Sequence, residues 1–533
     1  MIVRAVVAMA MAMVLASPGS GGRHAWTKPH VLVISDAGNP STLNPHLTQA
    51  AQTANLSELT MAWLLRWNEH NQLYPELATE VPSKANGGIS DDGRVITYHL
   101  RRGVRWSDGA SFDASDVTFS TAVVNDRANA ETGRLDQVAR VDAPDKYTII
   151  VHLKRPDSTF LVSYFSSCCA NPSLLPKHLL AKYRSINNAP YNDLPVGIGP
   201  FKFERWDRNK QVVLVANPAY WRGRPKLDEV IYKVVPTSEQ LLADMQAHRV
   251  DLWYQFGGAY LLRITAVAGL NVYRQPSYAY SHFDFNLTHP VVADPNVRRA
   301  LRLALDRKSL VQRVSHGVGI VQDTIAPLDA PYYSSTPTVA YDPVAANALL
   351  DAAGWKRGAD GIRAKNGVRL DVRFAVSAGQ RATDDLLELV RENWLRVGVA
   401  MTIHRYPPQQ FFAPIDQGGA LYSDSWDVIS FAWAADPLGN FDIEYGCDQF
   451  PPAGQNILRW CDRNAQRALD GLPRHYTQAQ RTADVAALVA ALNRDVPTIV
   501  TSMREDLFAY NSDLKNYHPN NLTPFDNMME VDI

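Results

Sequence analysis

The chain is short of cysteine, of excess charge and of long apolar runs. It carries four cysteines in 533 residues, with no Cys-x-x-Cys pair, which excludes a disulfide-framed mini-domain and a zinc ribbon. Lys and Arg total 53 against 54 Asp and Glu, a formal net charge of -1, so the electrostatic footprint of a nucleic-acid binder is missing. No His-Glu-x-x-His pair occurs, and no two of the 14 histidines stand four residues apart, so no helix face offers a two-histidine zinc site. Neither a GxSxG elbow nor a P-loop is present. Gly197-Ile198-Gly199-Pro200 ends in a proline that breaks any dinucleotide fingerprint, and it reads as a turn. The sequence therefore points to no metal, no cofactor and no catalytic constellation.

The one apolar run is N-terminal. Residues 5–16, AVVAMAMAMVLA, follow Met-Ile-Val-Arg and precede SPGSGG, the pattern of a cleaved secretory signal peptide, with cleavage after Ala16. The run is too short to span a bilayer, which takes ~20 residues. No cysteine stands beside it, so no lipid anchor is expected. An exported chain accommodates disulfides: Cys447 and Cys461 flank the turn-rich loop DQFPPAGQNILRW and are expected to pair. Cys168 and Cys169 are adjacent, where a bridge is strained, and read as two buried thiols.

Length and an ordinary 46% hydrophobic content imply roughly three lobes with ample cores. VLVIS at 31–35 reads as a buried strand running into the polar loop DAGNPSTLNP. VITYHL at 95–100 reads as one arm of a hairpin after DDGR, and Asp113 as the cap of a helix presenting Phe119, Ala122 and Val123 on one face. GIGPFKFERW, QVVLVANPAYW and LDEVIYKVV read as antiparallel strands, and Thr237 with Gln240 as the start of a helix. In PNVRRALRLALDR, Val297, Ala300, Leu301, Ala304 and Leu305 form a core stripe, with Arg298, Arg299 and Arg302 expected on a solvated face. A helix opens at Asp342-Pro343 and closes at Gly354. LDVRFAVS, a helix over 383–397 and VAMTIHRY form a β-α-β unit. Aromatic residues abound, 12 Trp, 22 Tyr and 17 Phe, and those near turn-rich segments, such as Trp426, Phe431, Trp433, Tyr278, Tyr280 and Phe283, suit either a pocket wall or a core.

Ordered words along the chain carry a resemblance. YPELATEVP at 74–82 and ISDDGRVITYHLRRGVRWSDGASFDASDVTFS at 89–120 are followed by VGIGPFKFERWD at 196–207 and ANPAYWRGRPKLDEVIYKVVP at 216–236. HFDFNLTHPVVADPNVRRALRLALDR at 282–307 and DSWDVISFAWAADPLGNF at 424–441 complete the series. Together they resemble the family 5 extracellular solute-binding proteins, the peptide and nickel receptors of ABC importers. The resemblance implies an α/β, two-lobed periplasmic binding protein fold with an additional domain, three domains in all, and a cleft that closes about a hinge. The implied division is residues 1–25 signal peptide and tail, 26–57 lobe I, 58–195 extra domain II, 196–278 lobe I again, 279–503 lobe III, and 504–533 the last of lobe I.

The resemblance also implies a function without catalysis. A short peptide lies extended in the cleft, paired through its backbone, and is delivered to a permease in the inner membrane by a monomeric periplasmic receptor. Trp433-Ala434-Ala435-Asp436 matches the family position at which an acid holds the peptide amino group. Asp436 is thus the candidate amine anchor, although Asp436-Pro437-Leu438-Gly439 could equally cap a turn. Main chain at Ala434 and Ala435, with Thr48 and Gln49 opposite, would be the backbone partners, and Tyr280 a lining residue. Other members carry nickel chelates, haem, glutathione, opines or sugars, so a non-peptide solute stays open as cargo, with a secreted hydrolase as a more distant reading. Here MAWLLRWNEH at 61–70 replaces the family's usual Tyr-x-Gly-Leu.

Overall fold

A computed structural model describes residues 23–130, 134–168, 172–379 and 381–533; the expected N-terminal signal peptide and Cys169 fall outside them. A ten-stranded mixed sheet runs through the molecule. In spatial order its strands are Ala400–Tyr406, Asp371–Ser377, Val428–Ala434, Leu270–Phe285, Thr498–Asn511, Leu252–Tyr254, Val31–Ser35, Glu229–Lys233, Gln211–Ala216 and Phe201–Asp207. The first three belong to lobe III and the last five to lobe I. Between them lie the two long strands, paired antiparallel from Leu270↔Asn511 to Asp284↔Thr498. Their ladder shifts register between Pro276 and Tyr280 and again between Ser281 and His282. A register shift disrupts pairing and bends the strand locally, and here it falls where the two lobes join.

Lobe III contains the β-α-β unit read from the sequence. Asp371–Ser377 and Ala400–Tyr406 pair in parallel around helix Arg381–Arg396. In lobe I the three strands over 201–233 are antiparallel, as their turn-rich separators require. Gly197 and Gly199 act by close approach: a Cβ on Gly197 would stand 1.9 Å from the Thr60 carbonyl oxygen. That contact seats the start of the second lobe I segment against the C-terminal end of helix Ala51–Thr60.

The extra domain is a three-stranded antiparallel sheet, ordered Val95–His99, Thr148–Leu153, Val138–Asp145, covered by helix Ala114–Asn125. Asp113 caps that helix reciprocally: its carboxylate accepts from Ser115 N at 2.8 Å, and its own amide donates to Asp116 at 3.2 Å. Two expectations shift here. The hairpin after DDGR amounts to one bridge, Ile89↔Ile96, and the continuous partner of Val95–His99 is the distant Thr148–Leu153. The buried helix face contains Ser120 and Thr121, not Ala122, which is exposed. Ser120 accepts from Leu175 N and Thr121 meets the Tyr164 hydroxyl at 2.9 Å, so polar residues at helical spacing hide the stripe from a hydrophobicity reading.

Helix Pro295–Leu303 buries Val297, Ala300 and Leu301 as expected. Arg298, however, is not on a solvated face. It is 4% exposed and donates to the carbonyls of Val292, Ala293, Asp495 and Val496, binding the helix to the start of the second long strand. A guanidinium has five donors, and terminal carbonyls of neighbouring elements use them without any carboxylate. Cys447 and Cys461 are bonded to each other. Cys168 is buried and is not a free thiol, which corrects its reading as one.

Candidate ligand-binding site

Strand Val428–Ala434 has neighbours of unequal length. On one side it pairs with the first long strand over its whole course, from Phe285↔Val428 to Ala279↔Ala434. On the other, Asp371–Ser377 accompanies it only from Phe374↔Val428 to Val376↔Ser430. Past Ser430 that edge has no strand partner among the described residues.

The alternation of an antiparallel ladder decides which groups face the open edge. Ala435 donates to the Tyr278 carbonyl at 2.7 Å, so Trp433 and Phe431, at the same parity, bond toward the long strand. Ala434 and Ala432 then turn their N–H and C=O groups outward. An unpaired edge of this kind is where an extended chain can add as a further strand. Of the two expected backbone partners, Ala434 is exposed with its groups turned out, whereas Ala435 is buried and its amide is already engaged.

A cavity of about 320 Å³ opens beside this edge, lined by Val376 and Ser377 at the end of the short neighbour, by Ser430 and Ala432, and by Ser281 and Ser502 of the long strands. A second, of about 200 Å³, lies on the lobe I side and is lined by both Thr48 and Gln49 together with Asn55, Glu58, Cys168 and Leu522. Leu438 of lobe III packs with Trp67, Val162, Cys168 and Leu522. Since Cys168 and Leu522 line the second cavity, Leu438 brings the segment that follows Asp436 up to the wall that holds Thr48 and Gln49.

Asp436 stands just past the open edge, half-buried. Its Oδ1 accepts from Leu438 N at 2.8 Å and Asn440 N at 3.2 Å, and its carbonyl accepts from the Tyr332 hydroxyl at 2.6 Å. The side chain therefore does close a turn, and one carboxylate serves that role with a single oxygen. Burial raises its pKa, against the pull of the Asn440 and Leu438 amides and the charge of Arg481. Arg481 donates to Leu438 O at 3.0 Å and to Ser158 of the extra domain, whose hydroxyl donates to Leu472 O at 2.6 Å. Asp329 makes a parallel bridge, accepting from Asn71 at 2.9 Å and from Asn521 at 3.1 Å. These bonds tie lobe III to the extra domain and lobe I across the mouth.

More carboxylates surround Asp436 than sequence spacing reveals. Burial pushes Glu444 up to about 8, helped by the negative charges of Asp436 and Asp442. Burial likewise raises Asp329, and it pushes Asp506 up to about 6 with Asp329 adding to it. Glu444 Oε2, Asp329 Oδ1 and the Tyr278 hydroxyl are buried without a hydrogen-bond partner among the described residues. Trp433 is half-buried and stacks parallel to His282, centroids 6.3 Å apart. Tyr280 is buried in the lobe III core, its hydroxyl 3.2 Å from that of Tyr445, and it lines neither cavity. Sequence reading missed Asp329, Glu444 and Arg481, which lie in three separate segments and meet only through the fold. No group of three or more His, Cys, Asp or Glu among the described residues is placed to hold a metal ion, and no helix there is long and apolar enough to cross a membrane.

Two lobes sharing a pair of long strands, with an open strand edge on one of them, form the arrangement of a protein that encloses a ligand by hinged closure. The model for "Bacterial extracellular solute-binding proteins, family 5 Middle" matches residues 72–445, and the chain belongs to that family. It is similar to the oligopeptide-binding protein AppA of Bacillus subtilis (strain 168), 25% identical over 425 residues, or 75% of each chain. Among solved structures, AppA of Bacillus subtilis in complex with a nonapeptide has a TM-score of 0.70 at 21% identity, covering 94% of this chain and 98% of that one. HbpA2 from Haemophilus parasuis has a TM-score of 0.80 at 21% identity, covering 93% and 98%. NikZ from Campylobacter jejuni in complex with Ni(L-His) has a TM-score of 0.73 at 24% identity, covering 95% and 100%. The chain is thus an extracellular solute-binding protein of family 5.

Proposed function

We propose that this receptor binds short peptides between its lobes in the periplasm and delivers them, as a monomer, to an inner-membrane permease. The observation that carries the reading is the open edge at Ala432 and Ala434, which ends at a carboxylate, Asp436. Outward N–H and C=O groups suit a peptide backbone of any sequence, and Asp436 suits its ammonium. Burial raises the pKa of Asp436 and pushes that of Glu444 up to about 8, and a cation beside them would favour their ionised forms. Thr48 and Gln49 approach from lobe I, Trp433 flanks the edge, and the register shifts near residues 276–282 act as the hinge between the segments ending at 278 and beginning at 279. Binding is a population shift toward the closed form that the permease recognises.

Native mass spectrometry of the mature protein, followed by release of its contents on mild denaturation, tests this. Peptides of a narrow length range, lost in Asp436→Ala, are the expected result. Release of a metal chelate, glycan or other amine-free solute instead would sink the peptide reading and keep the fold.

A further inference from the structure

Arg481 is a buried arginine, 7% exposed, whose side chain donates only to neutral oxygens among the described residues: Nη1 to Leu438 O at 3.0 Å and Nη2 to the Ser158 hydroxyl. It stands near the N-terminal end of helix Gln478–Asp495, where the helix dipole disfavours a cation, so the helix does not account for it. Arg307, by contrast, is buried in a two-point pair with Asp323. What Arg481 reaches is a chain of bonds. Leu438, whose carbonyl accepts from the guanidinium, donates its own amide to Asp436 Oδ1 at 2.8 Å. The two charges also act on each other: Arg481 works against the burial that raises Asp436, and Asp436 against the burial that lowers Arg481. The other charge bearing on Asp436 is Asp157 of the extra domain, which raises it, while Glu444, Tyr278 and Tyr332 feel the charge of Asp436 in turn. All of these are acids, so among them Arg481 alone favours the ionised carboxylate.

The far end of the guanidinium rests on the extra domain. Ser158 is 3% exposed; its amide donates to Pro473 O at 2.8 Å and its hydroxyl to Leu472 O at 2.6 Å. The Tyr476 hydroxyl donates to Gly93 O at 3.3 Å, and Lys84 Nζ lies 4.9 Å from the centre of the Tyr476 ring. These contacts seat segment 472–476 on the extra domain just ahead of the helix that carries Arg481. Resting on the amine-anchor reading above, we infer that Arg481 is a positioning residue for Asp436: through Leu438 it holds the turn that aims the carboxylate, it serves as the resident counter-charge, and Ser158 of the extra domain holds it there. A planar guanidinium spans two acceptors in fixed directions, which a lysine ammonium does not. The extra domain thereby acts on the ligand anchor through two side chains.

The test compares trialanine with N-acetyl-trialanine, titrated calorimetrically between about pH 4.5 and 7.5 into the wild type, Arg481→Met, Arg481→Lys and Ser158→Ala, with melting temperature as the check on folding. The wild type is expected to bind the free amine about tenfold or more tightly, the preference of one charge-assisted pair. An ammonium needs the ionised carboxylate, so its affinity falls as pH drops through the Asp436 titration. Arg481→Met removes the counter-charge and is expected to move that fall upward by about one pH unit, with the acetylated probe unaffected. Arg481→Lys and Ser158→Ala keep a charge there, so they are expected to keep the wild-type pH profile and to narrow the amine preference about threefold. Equal losses for both probes, or a preference and pH profile unchanged in every variant, overturn the inference while the anchor stands. Should Arg481→Met fail to fold, the preference in Arg481→Lys and Ser158→Ala decides. A wild type with no preference for the free amine sinks the anchor itself, and the inference falls with it.

Discussion

Two buried charged regions of the molecule are built to opposite rules. Between the extra domain and lobe I, Arg66 donates to Glu76 at 3.2 Å and to Asp526 at 2.7 Å. Asp526 also accepts from the Tyr74 hydroxyl at 2.8 Å, and Glu76 from Trp63 N at 2.7 Å. Burial works against the Arg66 charge, yet Glu76 and Asp526 outweigh it and push its pKa up. None of these three side chains has a buried polar atom left over. Around Asp436 the carboxylates outnumber the cations, and Glu444 Oε2 and Asp329 Oδ1 are left over. The first region is a fully partnered joint between the extra domain and lobe I. The second bridges lobe III to its neighbours with valences unmet, and on the proposed function those are where a ligand would contribute.

The largest expected effect attacks the joint. Arg66→Ala strands Glu76 and Asp526 as uncompensated buried charges and should cost about 3–5 kcal/mol of stability, read as a drop in denaturant midpoint with ligand affinity unchanged in the fraction that folds. An equal loss of affinity at unchanged stability would erase the contrast. Next comes the staple behind the acidic side. Cys447 follows helix Asp442–Tyr445, which carries Glu444, and the bridge to Cys461 closes a 14-residue separation. Replacing both cysteines by serine should cost about 3 kcal/mol in the chain-entropy model and weaken ligand binding through a less fixed Glu444. Chemical denaturation with paired calorimetry checks both.

Asp436→Asn is a smaller and sharper probe. The amide oxygen still accepts from Leu438 N and Asn440 N, so the turn should persist with a stability change below about 1 kcal/mol, while loss of the charge weakens peptide binding about 10- to 100-fold. A large stability loss with intact affinity would make Asp436 a turn residue alone and move it into the same class as Arg66.

Much of the fold was legible in the sequence and the acidic site largely was not, for a physical reason. The strands at 31–35, 371–377 and 400–406, the Asp113 cap and the helix after Asp342 depend on local pattern, so they read directly. Asp436 was reachable because the segment around it resembles a known family. The open edge was not, because it exists only where Asp371–Ser377 stops short of its neighbour, a fact of register between strands some fifty residues apart. Arg298 shows the same limit from the other side: helical spacing places it opposite the core stripe, yet carbonyls from the 495–496 turn reach over and bury it.

The smallest expected effect concerns protons. Glu444 has a folded-state pKa pushed up to about 8, against a reference value of 4.5. In the ligand-free protein the folded state therefore holds a proton that the unfolded chain releases, and the stability this contributes is full below about pH 4.5 and is lost as pH rises through about 8. Melting temperature of the empty receptor should fall across that window, and Glu444→Gln should flatten the fall. Ligand reverses the sign. An ammonium placed among Asp436 and Glu444 favours their ionised forms, so binding expels protons and affinity rises with pH up to the point where the ligand amine itself deprotonates, near 7.7–8.0 for an α-amino group. Calorimetry in buffers of different ionisation heat reads the proton count directly. Proton release in the wild type that disappears in Glu444→Gln, with the Arg66 joint contributing nothing to it, would separate the region that awaits a guest from the one already complete.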